Sequence, residues 1–401
     1  MTGMATHPGG AIPALRVVRE ATAEDLSGWD GRIVDGPGGD VHQALAWGRG
    51  RERSGARPHH LVLEDGSLVL VLGRRGRLMG GGRAYVPRGP VAADGDPRLV
   101  AGRLAAVADW ARDAGFDVVV ADPEIPAASG FPALLAGLGF RQVEEVGPSR
   151  HRIGVAIAAG ASDADLLAGI APKTRQQFLA AERRGLRIRR YDVRGAEDPG
   201  TGLEAPPPAL LATAAEEAFG RFHDILEATG ARRGFSPGSR PGALAWWQAA
   251  LVAGHLVLLE ARVAEDELIA AAAFYRHGSR LTYGHSGDVA SLRAAHPGTM
   301  GLILWRALQL AAREGRAELD LGGVDVRGAR RVPLPGEPTY GLLKFKESFG
   351  GQWIELSGAH ERVLRPGRHA IASGVHRAAG AAHAVSSPLR KAAHRPGTNV
   401  P

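Results

Sequence analysis

Within 401 residues one order of secondary-structure signals occurs twice, and that duplication restricts the possible folds more than any other feature of the chain. Residues 61–64 and 67–72 are β-rich runs around Asp65-Gly66, a dipeptide suited to a type I′ hairpin, and a third run follows at 83–86. In the second half, runs at 255–263, 268–276 and 280–286 repeat the meander across Ala264-Glu265-Asp266 and His277-Gly278-Ser279. Each meander leads into a helix with apolar residues three and four apart, over 99–114 and 299–314, closed by Gly115 and Gly315 at the C′ position. Each helix feeds a short strand ending on an acid, 116–122 at Asp122 and 316–320 at Asp320. A further helix and strand complete each unit around 134–140 and 345–351. The period is far longer than the roughly 20–50 residues of a solenoid repeat, so it implies two duplicated α/β units.

The units join through an alternating strand at 152–157 and through Ser162-Asp163-Ala164-Asp165, a capping box that opens a short helix. A Pro- and Gly-rich stretch at 195–208 reads as a loop inside the second unit. The order of elements resembles the acetyltransferase-like (GNAT) fold, and Leu138-Gly139-Phe140-Arg141 is similar to the phrase that closes many such domains. The expected class is α/β (α+β): two tandem GNAT-like (acyl-CoA N-acyltransferase-like) domains with mixed, mainly antiparallel sheets flanked by helices. The first is expected over 14–157, completed by a returning segment at 352–368, and the second over 158–351, with a basic tail at 369–401.

Composition removes several chemistries. The chain has no cysteine, which excludes thiol nucleophiles, thioester intermediates, disulfides and Cys-ligated zinc. The first 13 residues lack the basic start and apolar run of a signal peptide, and the most apolar stretch, 243–259, is interrupted by Gln248, Gly254 and His255. A cytoplasmic protein without a transmembrane segment is expected. The formal charge is +7, but residues 361–401 hold six Arg and Lys391 against Glu361, so the body is close to neutral. Any nucleic-acid contact must therefore come from local basic patches.

Five phrases, in order from about residue 40 to about residue 356, resemble the Fem (FemABX) family of non-ribosomal peptidyltransferases. They are His42-Gln43 with Trp47 and Arg51; Tyr85-Val86-Pro87-Arg88-Gly89-Pro90 followed by Asp122-Pro123-Glu124; and the basic helix from Lys173 and Arg175 through Arg183-Arg184-Gly185. The fourth is Phe222-His223-Asp224-Ile225-Leu226-Glu227 with Thr229, Arg232 and Arg233. The fifth joins Leu319-Asp320-Leu321-Gly322-Gly323 to Gly341-Leu342-Leu343-Lys344-Phe345-Lys346 and Phe349-Gly350-Gly351. Two departures stand out: Arg51 occupies a position where the family usually shows Lys, and the helical hairpin that some members direct at tRNA has no counterpart between Arg190 and Trp246. The chain is similar to the compact, FemX-like members.

The resemblance implies an aminoacyltransferase. An amine on the stem peptide of a peptidoglycan precursor, or on an existing branch, attacks the ester that joins an amino acid to a tRNA. Such a donor is already activated, so the enzyme has to align the reactants, keep the amine neutral and stabilise an oxyanion. No metal and no cofactor beyond the aminoacyl-tRNA co-substrate is implied, and no HExxH, GxSxG or P-loop pattern occurs.

By resemblance Lys346, with Phe345 before it, neutralises the developing charge; a solvated lysine at a helix C-terminus is the plainer account. Arg51 and Arg232 are expected to grip the anionic precursor, since guanidinium matches phosphate and carboxylate, with Trp47 beside Arg51. Asp122 and Tyr283 are expected to hydrogen-bond it, against a turn-capping Asp and a core tyrosine. Asp320 ends a strand where open α/β sheets present ligands, or else ties down the Gly322-Gly323 turn. Lys173, Arg175, Arg183 and Arg184 are expected on the tRNA, although such a run also makes an ordinary solvated face.

The tail, with apolar residues at helical spacing, is expected either to lie on an anionic membrane surface at the inner face or to be disordered. A monomer is expected. Three rival readings are an acyl-CoA N-acetyltransferase, a tRNA-dependent transferase acting on an antibiotic intermediate, and a non-enzymatic RNA-binding protein. The first would need an R/Q-x-x-G-x-G/A turn for pyrophosphate, which the helix openings at Leu99 and Thr299 lack.

Overall fold

The structure is a computed structural model that describes residues 11–76, 81–93, 95–144, 150–194, 203–263, 266–324 and 331–371. The tail beyond residue 371, and with it the expected membrane contact, lies outside the described residues, as do the first eight residues of the loop at 195–208. The strands are β1 (Val17–Glu20), β2 (Arg57–Leu63), β3 (Leu68–Arg74), β4 (Arg83–Val86), β5 (Val118–Ala121), β6 (Arg141–Val143) and β7 (His151–Ala156). They continue as β8 (Arg187–Tyr191), β9 (Leu256–Arg262), β10 (Leu268–His277), β11 (Arg280–Asp288), β12 (Glu318–Asp320), β13 (Gln352–Glu355) and β14 (Ala359–Val363). The helices are α1 (Ala23–Ser27), α2 (Trp29–Ile33), α3 (Leu45–Glu52), α4 (Pro97–Asp113), α5 (Phe131–Gly137) and α6 (Asp163–Ala168). After them come α7 (Pro172–Arg183), α8 (Leu211–Arg233), α9 (Arg240–Val252), α10 (Ala290–Arg293), α11 (Thr299–Arg313) and α12 (Tyr340–Glu347).

Two seven-stranded sheets result, in the orders β1-β2-β3-β4-β5-β14-β6 and β13-β7-β12-β11-β10-β9-β8. Each is antiparallel except for one central parallel pair, β4 with β5 and β11 with β12. A parallel pair requires a crossover, and α4 and α11 supply it. Both end at glycines of positive φ, +84° at Gly115 and +68° at Gly315, a conformation that a Cβ would disfavour. The capping box at Ser162 opens α6 through mutual bonds with Asp165.

One strand returns from the end of the chain to the first sheet, and the expected domain boundaries need correction. Residues 151–156, assigned to the end of the first domain, form β7 in the second sheet, paired with β12 and β13. Of the segment 352–368, assigned wholly to the first domain, residues 352–355 are β13 and lie in the second sheet. Only β14 reaches the first sheet, between β5 and β6. The reason is hydrogen bonding: β14 fills the gap between β5 and β6, and β7 the gap between β12 and β13, which gives their backbone groups ladder partners.

A layer also emerges that the sequence reading had not identified. Strands β9 and β10 are buried on both faces. Val257, Leu259, Ala270, Ala272 and Phe274 face a core with α7 and α11, while Leu256, Leu258, Ala271, Ala273 and Tyr275 face a second core. Helices α8 and α9 fill that second core through Phe219, Phe222 and Trp247, together with Trp29, Ile33, Leu70 and Leu72 of the first unit. The two units are thus joined by a continuous apolar interior, in which each large side chain stabilises the fold by roughly 1.5–3 kcal/mol.

Candidate active site

Between the units opens a cleft of about 680 Å³. The first unit contributes the turn at 41–43 and α3, with Arg88 and Glu124; the second contributes β7, α9, β10, β11 and the Asp320 to Gly323 turn. One wall is aromatic. Trp47 on α3 meets Trp246 on α9 edge to face at 4.9 Å, and the Trp246 Nε1 donates to the Tyr275 hydroxyl at 3.0 Å. Burial pushes the Tyr275 phenol up to about 12, which keeps it a neutral hydroxyl. The Arg51 guanidinium lies 3.8 Å from the Trp47 ring centroid, and no carboxylate contacts it among the described residues. It is a cation held on an indole face and open to an anion.

The floor is ionic. Glu124, just past β5, is paired with Arg280 at the start of β11 in the other unit and lies 3.7 Å from Arg88. Burial alone would raise the Glu124 carboxyl, but Arg280 and Arg88 outweigh it and hold the group at about 2. Asp320 stands 3.8 Å from Arg280, and its carboxyl is raised by burial and by the nearby charge of Glu124. Arg152 on β7 pairs with Glu318 on β12.

At the edge of this floor Asp40 is buried, 3% exposed, and accepts two bonds from His42: the backbone N–H at 2.8 Å and Nδ1 at 2.7 Å. Burial opposes its ionisation, yet the His277 and His42 rings and Arg88 outweigh that and hold the carboxyl well below the usual range.

The residues singled out from sequence divide into three groups. Trp47, Arg51, Tyr283 and Asp320 all line the cleft. The Asp320 Oδ1 accepts from the Gly322 N–H at 2.7 Å, so this carboxylate does tie down the turn. The Tyr283 hydroxyl bonds Ser286. Lys346 lies directly behind the lining: it is buried, 5% exposed, and its Nζ donates to the carbonyls of Gly323 at 2.6 Å and Gly322 at 3.2 Å. Its charge therefore sits beneath a turn whose other side faces the cleft.

Asp122, Arg232 and Phe345 are not on the cleft. Asp122 is 1% exposed and is occupied by the Tyr85 hydroxyl at 2.9 Å and the Arg88 N–H at 2.8 Å, with burial raising its carboxyl. Arg232 is consumed by the Asp288 carboxylate at 2.6 Å. Phe345 packs edge to face on Phe349 in the core of the second unit.

Lys173, Arg175, Arg183 and Arg184 lie on or directly after α7, also outside the cleft. Lys173, Arg183 and Arg184 are exposed, and none of the four has a carboxylate partner among the described residues.

Sequence reasoning missed Asp40, Arg88, Glu124, Trp246, His277 and Arg280. Arg88 and Glu124 stood inside a quoted phrase, but nothing local shows that Arg280, 156 positions away, closes on Glu124. His285 also lines the cleft, but no carboxylate orients it among the described residues. Among the described residues, His223, Asp224 and Glu227 on α8 have metal-ligand spacing, their ligand atoms within 4.8 Å of one another; Asp224 is paired there with Arg240, a cation that opposes a second one. No helix among the described residues is long and apolar enough to cross a membrane.

Residues 173–331 match the family model described as an acetyltransferase (GNAT) domain. Among solved structures, FemX shares the fold with a TM-score of 0.68 at 16% identity, over 88% of this chain and 98% of that one. L-PGS from Bacillus licheniformis aligns with a TM-score of 0.52 at 14% identity, over 90% and 98%. A conserved protein of unknown function from Bacteroides thetaiotaomicron aligns at 0.51 and 11%, over 86% and 98%. No protein of curated function matches the sequence. The chain thus has a FemX-like fold of two GNAT-like units.

Proposed function

We infer that this FemX-like transferase is an aminoacyl-tRNA-dependent aminoacyltransferase that adds an amino acid to the stem- or branch-peptide amine of a peptidoglycan precursor, either lipid II or UDP-MurNAc-pentapeptide. The observation that carries the reading is the cleft between the units, with an unpaired guanidinium on an aromatic wall at one side and the buried Lys346 ammonium behind a glycine turn at the other. The first suits a long anionic acceptor, and the second suits an ester whose carbonyl oxygen gains charge as the amine adds. In this reading Arg51 and Trp47 hold the acceptor, Tyr283 and the Gly322-Gly323 turn border the ester, and Lys346 stabilises the oxyanion through that turn. The exposed cations of α7 meet phosphates of the tRNA. Only ester and amine are consumed, so no resident cofactor is proposed, and one chain supplies both walls, so a monomer suffices. Because charged tRNA is the donor, the reaction belongs in the cytoplasm.

The opening of α4 weighs against an acyl-CoA donor in the first unit. The N-terminus of α4 is already capped by the Asp96 side chain, accepting from the Arg98 N–H at 2.8 Å, which places a carboxylate where pyrophosphate would have to bind.

The test is to incubate the purified protein with a set of charged tRNAs and with both lipid-linked and nucleotide-linked precursor, and to look by mass spectrometry for a product heavier by one amino-acid residue. Lys346→Ala is expected to lower kcat by ~10²–10³, the range for loss of an oxyanion-stabilising group, while circular dichroism shows the fold retained. Tight, specific binding of acetyl-CoA with no tRNA-dependent product would replace this reading with the acetyltransferase one.

A further inference from the structure

The geometry points to His42 as the general base of the transfer reaction, with Asp40 as the residue that positions it. The inference rests on the aminoacyl-transfer reading and adds to it the group that handles the amine proton.

Four observations meet at this pair. His42 lines the cleft with a quarter of its side chain exposed, while its partner Asp40 is almost entirely enclosed. Asp40 caps the 41–43 turn, accepting from the His42 backbone N–H at 2.8 Å and from Nδ1 at 2.7 Å, so the ring is held at two points by one carboxylate. The T-shaped contact with Trp47, 4.5 Å between centroids, fixes the ring plane. Asp40 does not drift toward another partner, because Oδ2 is already 3.7 Å from Nδ1 of His277 in the other unit.

A carboxylate can only accept, so Nδ1 carries the hydrogen and Nε2 presents its lone pair. Nε2 has no hydrogen-bond partner among the described residues. An imidazole oriented by a buried carboxylate, with its second nitrogen free in a substrate-sized cleft, is the arrangement that general-base catalysis requires.

The step balances without an outside reagent. A neutral acceptor amine adds to the ester carbonyl carbon, forming the C–N bond and moving the π electrons onto oxygen. His42 Nε2 takes one proton from the nitrogen as that bond forms. The tetrahedral intermediate collapses, the C–O bond to the sugar breaks, and the imidazolium returns its proton to the departing oxygen. Amide and alcohol leave, and His42 is neutral again.

The experiment compares wild type, His42→Ala, His42→Asn and Asp40→Asn in the mass-spectrometric transfer assay, with kcat and KM measured separately and folding checked by thermal melting. His42→Asn keeps a donor for Asp40 and guards against misfolding of the alanine variant. Both His42 variants are expected to lose ~10²–10⁴ in kcat, the usual worth of a general base, with KM within a few-fold.

Added imidazole is expected to restore turnover to His42→Ala, whose cavity it can enter, but not to Asp40→Asn, in which His42 still fills the space. With hydroxylamine as acceptor, which needs less help to lose its proton, the deficit of His42→Ala is expected to shrink. If wild type turns over and folded His42→Asn keeps its kcat, the base assignment is wrong and the transfer reading stands. If wild type gives no product with any charged tRNA, the transfer reading fails and the assignment fails with it; the state of the wild type tells the two apart.

Discussion

Glu124 shows how a single side chain can hold the two units in register. Its partners are Arg88 from its own unit and Arg280 from the other, and all three are largely removed from water. Taking one partner from such a group leaves a buried charge uncompensated, so Glu124→Gln is expected to cost ~3–5 kcal/mol in a urea titration. The same carboxyl sets part of the acid limb of stability. Folded, it stays ionised down to about 2, whereas an unfolded glutamate takes up its proton nearer 4.5. As pH falls from about 4.5 toward 2, the unfolded chain binds the proton first and stability drops; above 4.5 the contribution is complete. Glu124→Gln is expected to flatten that part of the stability-pH curve, and an unchanged acid limb would show that the ion group contributes nothing. The sequence displayed Glu124 beside a turn-forming Pro123, but its meaning comes from Arg280, which no local rule connects to it.

At the level of single elements, α7 and α9 show two kinds of legibility. Helix α7 was visible as a basic run, and its Lys173 and Arg183, with Arg184 directly after, lie exposed with no carboxylate partner among the described residues. Arg183→Glu with Arg184→Glu is expected to weaken binding of charged tRNA and to make the salt dependence shallower, by about 0.7 in log–log slope per lost phosphate contact. Retained affinity and slope in a filter-binding titration would move the tRNA to another face.

Helix α9 was hidden inside the most apolar stretch of the chain, which in fact holds a helix, a turn at Gly254 and strand β9. It buries Trp247 against Phe219 and Phe222 and turns Trp246 toward the cleft. Trp247→Ala is expected to cost ~3–5 kcal/mol by chemical denaturation, through lost burial and the cavity left behind. The warning sign in the sequence was Leu256-Val257-Leu258-Leu259 with Ala270 to Ala273: strands apolar at every position need cover on both faces, and α11 supplies only one.

For the whole molecule, the return of β14 to the first sheet and the shared second core make the two units a single cooperative body. β7 to β13 make the second sheet without a break in chain order, whereas β14 lies in the first sheet, between β5 and β6, though it follows the whole second unit. The first unit is incomplete without β14, and the second core is lined from both units. Calorimetry is expected to show one unfolding transition with equal calorimetric and van't Hoff enthalpies, and two separable transitions would contradict the shared interior. A chain ending after residue 356 loses β14, leaves β6 unpaired and one edge of β5 open, and is expected to aggregate.

The sequence by itself determined the two meanders, the capped crossover helices, the tandem GNAT-like class and the set of phrases around the cleft. Those follow from short-range physics: side-chain period, turn chemistry and helix capping act over a few residues. Only the tertiary structure decided which sheet β7 and β13 join, that Asp122 and Arg232 are occupied by neighbours, and that Asp40, His42, Glu124 and Arg280 meet. Those outcomes depend on hydrogen bonds and charges between residues far apart in the chain, and such partners exist only once both units have closed on each other.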